Sequence, residues 1–291
     1  MLFFTDSEIK MTDEEFLLLR DLIYNYSGLY FAEENKYLLE RRLSPRLSNH
    51  QLATFHDYYY YLKYDVNREL ELSDIMDLLT TNETYFFRES FQLKAFTEEI
   101  IPEMISAKAK TGDKTLRIWS AGCSTGEEPY TIAILLLEMS ALAGWKIEII
   151  GTDISQRVLH HARKGVYGNS SFRVTEPHFK SRYFHEQDGG YRVTDRIREI
   201  VTFSRLNLYD SSKFLFLGKM DLIFCRNVII YFDLMSKKRV IEHFYSTLHP
   251  GSFLLLGHSE SLMNITTAFK LRHFKNDMVY EKPLLSGSVA I

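Results

Sequence analysis

The feature that most restricts this chain is a change of periodicity after Arg88, where short apolar runs begin to alternate with helix-length segments. Leu116 to Ser120 reads as a buried strand, followed by a glycine-containing turn and a helix from about Pro129 to Leu142. Lys146 to Gly151 is a second strand, and the helix after it has a cap in Ser155 and a stop in Gly165. Met220 to Cys225 is a further strand. Asp233 can cap a helix to about Leu248, and Pro250-Gly251 turns the chain into a strand from Phe253 to Gly257. Strands alternating with helices predict an α/β fold: a mostly parallel sheet covered on both faces. Tyr167 to Ile200 departs from this rhythm. It is polar and turn-rich, with a hairpin signal at Asp188-Gly189-Gly190, and predicts a small antiparallel insertion.

The first eighty or so residues carry no strand signal and predict a small all-α domain. Thr12 and Glu15 form a capping-box pattern ahead of Phe16, Leu19, Ile23 and Tyr26 at helical spacing, and Gly28 is placed to end that helix. A second helix is expected from about Glu33 to Leu47, with Leu38, Leu39 and Leu43 on one side and Lys36, Arg42 and Arg46 near the other. Pro45 predicts a kink or a new helix start within it. A third stretch, Thr54 to Lys63, is rich in aromatic residues. At 291 residues, 45% of them hydrophobic, the chain can bury two cores.

Two cysteines, Cys123 and Cys225, supply neither a disulfide framework nor a four-cysteine metal site, and no metal is expected. A formal net charge of −3 gives no long-range attraction for nucleic acid. The start MLFFTDSEIK lacks the pattern of a signal peptide, and the apolar run Ile132 to Leu137 is too short to span a bilayer. A cytoplasmic protein without direct membrane insertion is expected, and nothing in the sequence demands more than a monomer.

The candidate site follows from where the strands end. After the strand Leu116 to Ser120 come Gly122 and Gly126, which let a ligand approach the backbone at the sheet's carboxyl edge. The loop has neither a full Gly-x-Gly-x-x-Gly nor the Gly-Lys-Ser/Thr of a phosphate loop. Its two acids, Glu127 and Glu128, would repel phosphates, which favours a cationic or uncharged ligand and argues against a dinucleotide dehydrogenase. Asp153, ending the next strand, either accepts hydrogen bonds from two ribose hydroxyls or caps the following helix. Glu128 is either a ligand contact or a solvated acid in a helix first turn. Asn227 lies at the same edge with Tyr231 just beyond, the latter either facing the ligand or packed in the core with its hydroxyl satisfied. Cys123 and Cys225 are read as packing residues.

Four segments together carry a resemblance. Thr80-Thr81-Asn82-Glu83-Thr84-Tyr85-Phe86-Phe87-Arg88, Ser124-Thr125-Gly126-Glu127-Glu128-Pro129-Tyr130, Cys225-Arg226-Asn227-Val228-Ile229-Ile230-Tyr231-Phe232 and Gly257-His258-Ser259-Glu260 resemble, in order and spacing, the chemotaxis receptor methyltransferases (CheR). The resemblance implies a helical domain at 1–79, a linker at 80–90 contributing to the cofactor site, and a Rossmann-like methyltransferase domain at 91–285 with a β-subdomain at 166–200. It implies S-adenosylmethionine as cofactor, held by Asn82, Thr84, Arg88, Glu128, Asp153, Asn207, Leu208, Asn227 and Val228, with Arg88 and Tyr231 facing the reacting groups. The implied reaction is methyl transfer to glutamate side chains on the cytoplasmic helices of methyl-accepting chemotaxis receptors. Lys36, Arg42 and Arg46 either recognise those acidic helices or form a solvated face. The hairpin around Gly189-Gly190 is shorter than in family members that dock on a receptor tether peptide, which leaves that docking mode open. Two rival readings use the same fold. A nucleic-acid methyltransferase would want an Asn/Asp-Pro-Pro-Tyr-type turn where this chain has Asn227-Val228-Ile229-Ile230, whereas a non-catalytic cofactor-binding signalling module would keep the same binding residues.

Overall fold

The structure, a computed structural model, describes residues 9–284. Four helices form the N-terminal unit: α1 (Asp13–Ser27), α2 (Lys36–Asn49), α3 (Phe55–Tyr64) and α4 (Arg68–Leu79). The Thr12 and Glu15 capping box forms in both directions, and Gly28 ends α1. Phe16, Leu19 and Ile23 of α1 meet Leu39, Leu43 and Leu47 of α2 in one core, closed by Phe55, Tyr58 and Leu62 of α3 and by Ile75 and Met76 of α4.

No new helix starts at Pro45: α2 continues through it, and Leu43 and Leu47 on either side are fully buried and hold both turns against the core. The basic residues of this helix each have a partner within the chain. Lys36 pairs with Asp13 at 2.6 Å, Arg42 donates to the carbonyl of Leu79 at 2.6 Å, and Arg46 is bound to Glu71 and Asp74. Partners 23 to 37 residues away in sequence claim all three cations.

The second unit begins with α5 (Ser90–Ala95), which continues through one π-helical turn at Phe96–Ile100 into α6 (Ile101–Ala109). Then come β1 (Thr115–Ala121), α7 (Glu127–Glu138), β2 (Lys146–Asp153) and α8 (Gln156–Lys164). Ser155 caps α8 through the Val158 N–H and Gly165 ends it, as the sequence predicts. The insertion supplies β3 (Val166–Tyr167), α9 (Pro177–Tyr183), β4 (Phe184–Gln187), β5 (Gly190–Val193) and α10 (Asp195–Arg198). The chain then returns through β6 (Val201–Arg205), β7 (Met220–Cys225), α11 (Leu234–Thr247), β8 (Leu248–Leu256), β9 (Lys270–His273) and β10 (Met278–Glu281).

The main sheet has the order β6-β2-β1-β7-β8-β10-β9, with the five strands from β6 to β8 parallel and the last two antiparallel. Its two faces bury separate cores, and neighbouring residues serve opposite sides: Ile118 belongs to one cluster and Trp119 to the other. The strand order reverses direction at β1, so the carboxyl ends of β1, β2 and β7 open a crevice at the point where such folds take their ligands. The insertion forms an antiparallel sheet, β3-β5-β4, whose hairpin turns through Asp188 and Gly189 with both φ angles positive, at 51° and 72°.

Candidate functional site

The loop after β1 is closed against β2 by two N–H groups, those of Gly122 and Cys123, which both donate to the carbonyl of Thr152. Gly122 has φ 77°, and a Cβ there would lie 2.4 Å from a methyl of Val228. The missing side chain is what lets the loop after β7 approach the loop after β1. All ten residues implied as cofactor or acceptor contacts line one cleft at this edge. It also takes in Ser27, Leu29 and Leu79 from the helical unit and Thr80 to Glu83 from the linker.

Asp153 sits deep in this cleft. Its two oxygens accept from the N–H groups of Ser124 and Ser155, at 2.9 and 3.0 Å, and each keeps a lone pair for a further donor. Because the Ser155 hydroxyl caps α8, the capping role considered for Asp153 is filled by another residue. Burial pushes the Asp153 carboxyl above the ordinary aspartate value, opposed by those backbone donors.

The two acids of the loop part company. Glu127 is buried and turned toward the insertion, where Thr125 and Ser171 donate to it at 2.6 and 3.0 Å, and burial raises its pKa. Glu128 faces the cleft but is not solvated: it accepts from Ser120 at 2.7 Å and from Arg226 Nε at 2.7 Å. A pair of unbalanced acids repelling phosphate is therefore not what the loop presents. One acid is elsewhere and the other is paired with a guanidinium whose side chain is only 4% exposed. Arg226 also donates to the backbone carbonyl of Arg88 at 2.9 Å, so a single buried cation ties β7 to α7 and to the linker. Sequence reasoning passed over Arg226; the available signal was a charge placed directly after a strand that is buried at every position.

Asn227 adopts φ 59°, and its side-chain Oδ1 is buried with no hydrogen-bond partner. Tyr231 is 38% exposed and its hydroxyl has no partner among the described residues, which overturns its reading as a satisfied core aromatic. Arg88 lies in the same wall. Its Nη1 donates to the carbonyl of Glu83 at 3.0 Å, its guanidinium stands 5.6 Å from the Tyr85 ring, and it has no ion pair among the described residues. Asn207 lines the cleft with its amide engaged by the protein. Its Nδ2 donates to the carbonyl of Tyr26 at 2.6 Å and its Oδ1 accepts from the Tyr209 N–H at 3.0 Å. Both ends of that side chain hold protein, and what it and Leu208 offer the cleft is shape and backbone.

Residues 82–278 match the family model described as CheR methyltransferase, SAM binding domain, and residues 14–80 match that of the CheR methyltransferase all-alpha domain. The chain belongs to the CheR methyltransferase family. It is 38% identical over 279 residues to chemotaxis protein methyltransferase 2 of Vibrio cholerae, covering 95% of this chain and 96% of that one. It is likewise 38% identical over 257 residues to the chemotaxis protein methyltransferase of Borreliella burgdorferi, covering 87% and 90%. Chemotaxis protein methyltransferase 2 of Pseudomonas aeruginosa is 34% identical over 265 residues, covering 90% and 91%.

S-adenosylmethionine is the cofactor of this family's binding domain, and the cleft of this CheR protein fits it. The free lone pairs of Asp153 match paired hydroxyl donors, and the orphaned Oδ1 of Asn227 is an acceptor in want of one. Ile154, Leu206, Leu208 and Val228 provide an apolar wall for a flat base. Among the described residues, no helix is long and apolar enough to cross a membrane.

Proposed function

We propose that this protein transfers the methyl group of S-adenosylmethionine to glutamate carboxylates on the cytoplasmic helices of methyl-accepting chemotaxis receptors, giving methyl esters and S-adenosylhomocysteine. In this reading it acts as a cytoplasmic monomer, with the helical domain at 1–79, the linker at 80–90 and the methyltransferase domain at 91–285. The observation that carries it is the pair of donors at the cleft wall, Arg88 and Tyr231, neither of which has an acidic partner of its own among the described residues. The names of the relatives support the pathway.

The bound cofactor supplies an electrophilic methyl on a sulfonium. A glutamate with an ordinary pKa of about 4.3 arrives already ionised, so the site needs no general base. Asn82, Thr84, Glu128, Asp153, Asn207, Leu208, Asn227 and Val228 hold the cofactor. Arg88 and Tyr231 hold one oxygen of the acceptor and leave the other aligned for in-line attack. A strong bidentate contact from Arg88 would stabilise the carboxylate and blunt its attack, so Arg88 contributes orientation.

The test is incubation with methyl-labelled cofactor and a receptor cytoplasmic fragment, followed by mass mapping. Base-labile label on glutamates is expected. Label on another residue type, or none, overturns the proposal and favours a binding module. In the same assay, Arg88→Ala should lower the turnover rate by about a hundredfold, the scale of a misplaced reactant. Wild-type turnover by Arg88→Ala with cofactor binding intact would remove Arg88 from the mechanism.

A further inference from the structure

The segment Gly257-His258-Ser259-Glu260 has no role in the mechanism above, yet its last residue makes an unusual set of contacts. Glu260 Oε2 accepts from the N–H groups of Asn227 and Gly257, both at 2.8 Å. Its Oε1 accepts from those of Val228 at 2.9 Å and Ile230 at 3.3 Å. No cation pairs with it among the described residues. Cys225 and Leu256 are register partners at the ends of β7 and β8, and beyond them the chain leaves the sheet. The N–H groups there have lost their ladder acceptors, and one carboxylate replaces them. Gly257 makes room for this: a Cβ on it would lie 3.0 Å from Asn227 N, Asn227 Nδ2 and Glu260 Oε2.

We propose that Glu260 is a positioning residue, which locks the loop 226–231 so that Asn227 meets the cofactor and Tyr231 meets the acceptor. The proposal rests on the roles given above to those two residues. Burial pushes the carboxyl of Glu260 upward and its four backbone donors pull it back, so the charged form depends on the loop as the loop depends on it. The left-handed backbone of Asn227 costs energy in a non-glycine residue, and three of the four donors flank or belong to that turn. Held this way, Asn227 keeps its side-chain oxygen free for the cofactor.

Glu260→Gln keeps the shape but turns one acceptor into an amide facing two N–H groups. In the full-length protein with cofactor and receptor fragment, it should lower kcat by about a hundredfold. The KM for S-adenosylmethionine should rise by less than about tenfold, because Asp153 and Glu128 remain in place. Tyr231→Phe should cost less in the Glu260→Gln background than in the wild type, since the hydroxyl would already be misplaced. Should Glu260→Gln not fold, Gly257→Ala crowds the same carboxylate without removing its charge and should show the same coupling with Tyr231. Wild-type kcat in the variant that folds, or losses at 260 and 231 that simply multiply, would overturn the proposal. Failure of the wild type to label glutamate would instead overturn the function on which it rests.

Discussion

Asp153→Ala should weaken binding of S-adenosylmethionine and of its demethylated product by about a hundredfold or more. The side chain is a buried acceptor with one lone pair free on each oxygen, facing the cleft. Two hydrogen bonds to a charged acceptor are together worth about 3 kcal/mol or more, and each 1.4 kcal/mol is a factor of ten. The raised pKa adds a pH signature. The ionised form accepts best, so affinity should fall as pH drops through the Asp153 value, at a higher pH than an ordinary aspartate would give. Titration calorimetry of wild type and variant across the acid range checks both points. Equal affinity in the two proteins would show that the cofactor is held elsewhere.

Glu71→Ala should destabilise the helical unit by about 3–5 kcal/mol, the usual result of removing one member of a buried ion pair. Glu71 is 3% exposed and accepts from Arg46, from the Tyr58 hydroxyl and from His50 Nε2, the last at 2.7 Å. Its loss strands a guanidinium and a phenol inside a helical core, with Asp74 alone left to pair with Arg46. Burial by itself would raise the Glu71 pKa, but the bonds from Arg46, Tyr58 and His50 bring it below the ordinary glutamate value. For a carboxyl depressed in the folded state, the stabilisation is present above the unfolded pKa of about 4.3 and is lost as pH falls through the folded value. Wild-type stability should therefore decline below about pH 4.3 more steeply than that of Glu71→Ala. Urea denaturation at neutral and acid pH measures both. A difference under about 1 kcal/mol at neutral pH would mean that the network is idle.

Much of the fold could be read in advance because local chemistry agreed with global packing. Ser155 and Gly165 bracket α8, Asp233 caps α11, and the apolar run Leu222 to Cys225 has no stable place except inside a parallel sheet. What escaped was short or polar. β6 alternates buried with exposed positions directly after a turn-rich insertion, and β9 is Lys270-Leu271-Arg272-His273, which no hydrophobic pattern marks as a strand. The site shows the same division. Asp153, Asn227 and Tyr231 could be located from the strand ends, the linker residues and Asn207 only from the resemblance, and the structure gathers all ten into one cleft. The partners of Arg226 and Glu260 could not be inferred, because they include backbone groups whose position exists only after folding. The pairings of the α2 basic residues were hidden for a related reason: charge is visible in a sequence, but the partner that neutralises it is not.

The tie between Asn207 and Tyr26 has a practical corollary. The Tyr26 hydroxyl also accepts from Arg205, the Tyr24 hydroxyl donates to Asp233, and Leu29 bridges to Phe232, so part of the cleft is built from the end of α1. A chimaera that grafts another relative's all-helical half onto this catalytic half would bring a foreign floor to the binding site. Such swaps, when made to change receptor choice, should alter cofactor affinity too unless Tyr24, Tyr26 and Leu29 travel with Arg205, Asn207 and Phe232.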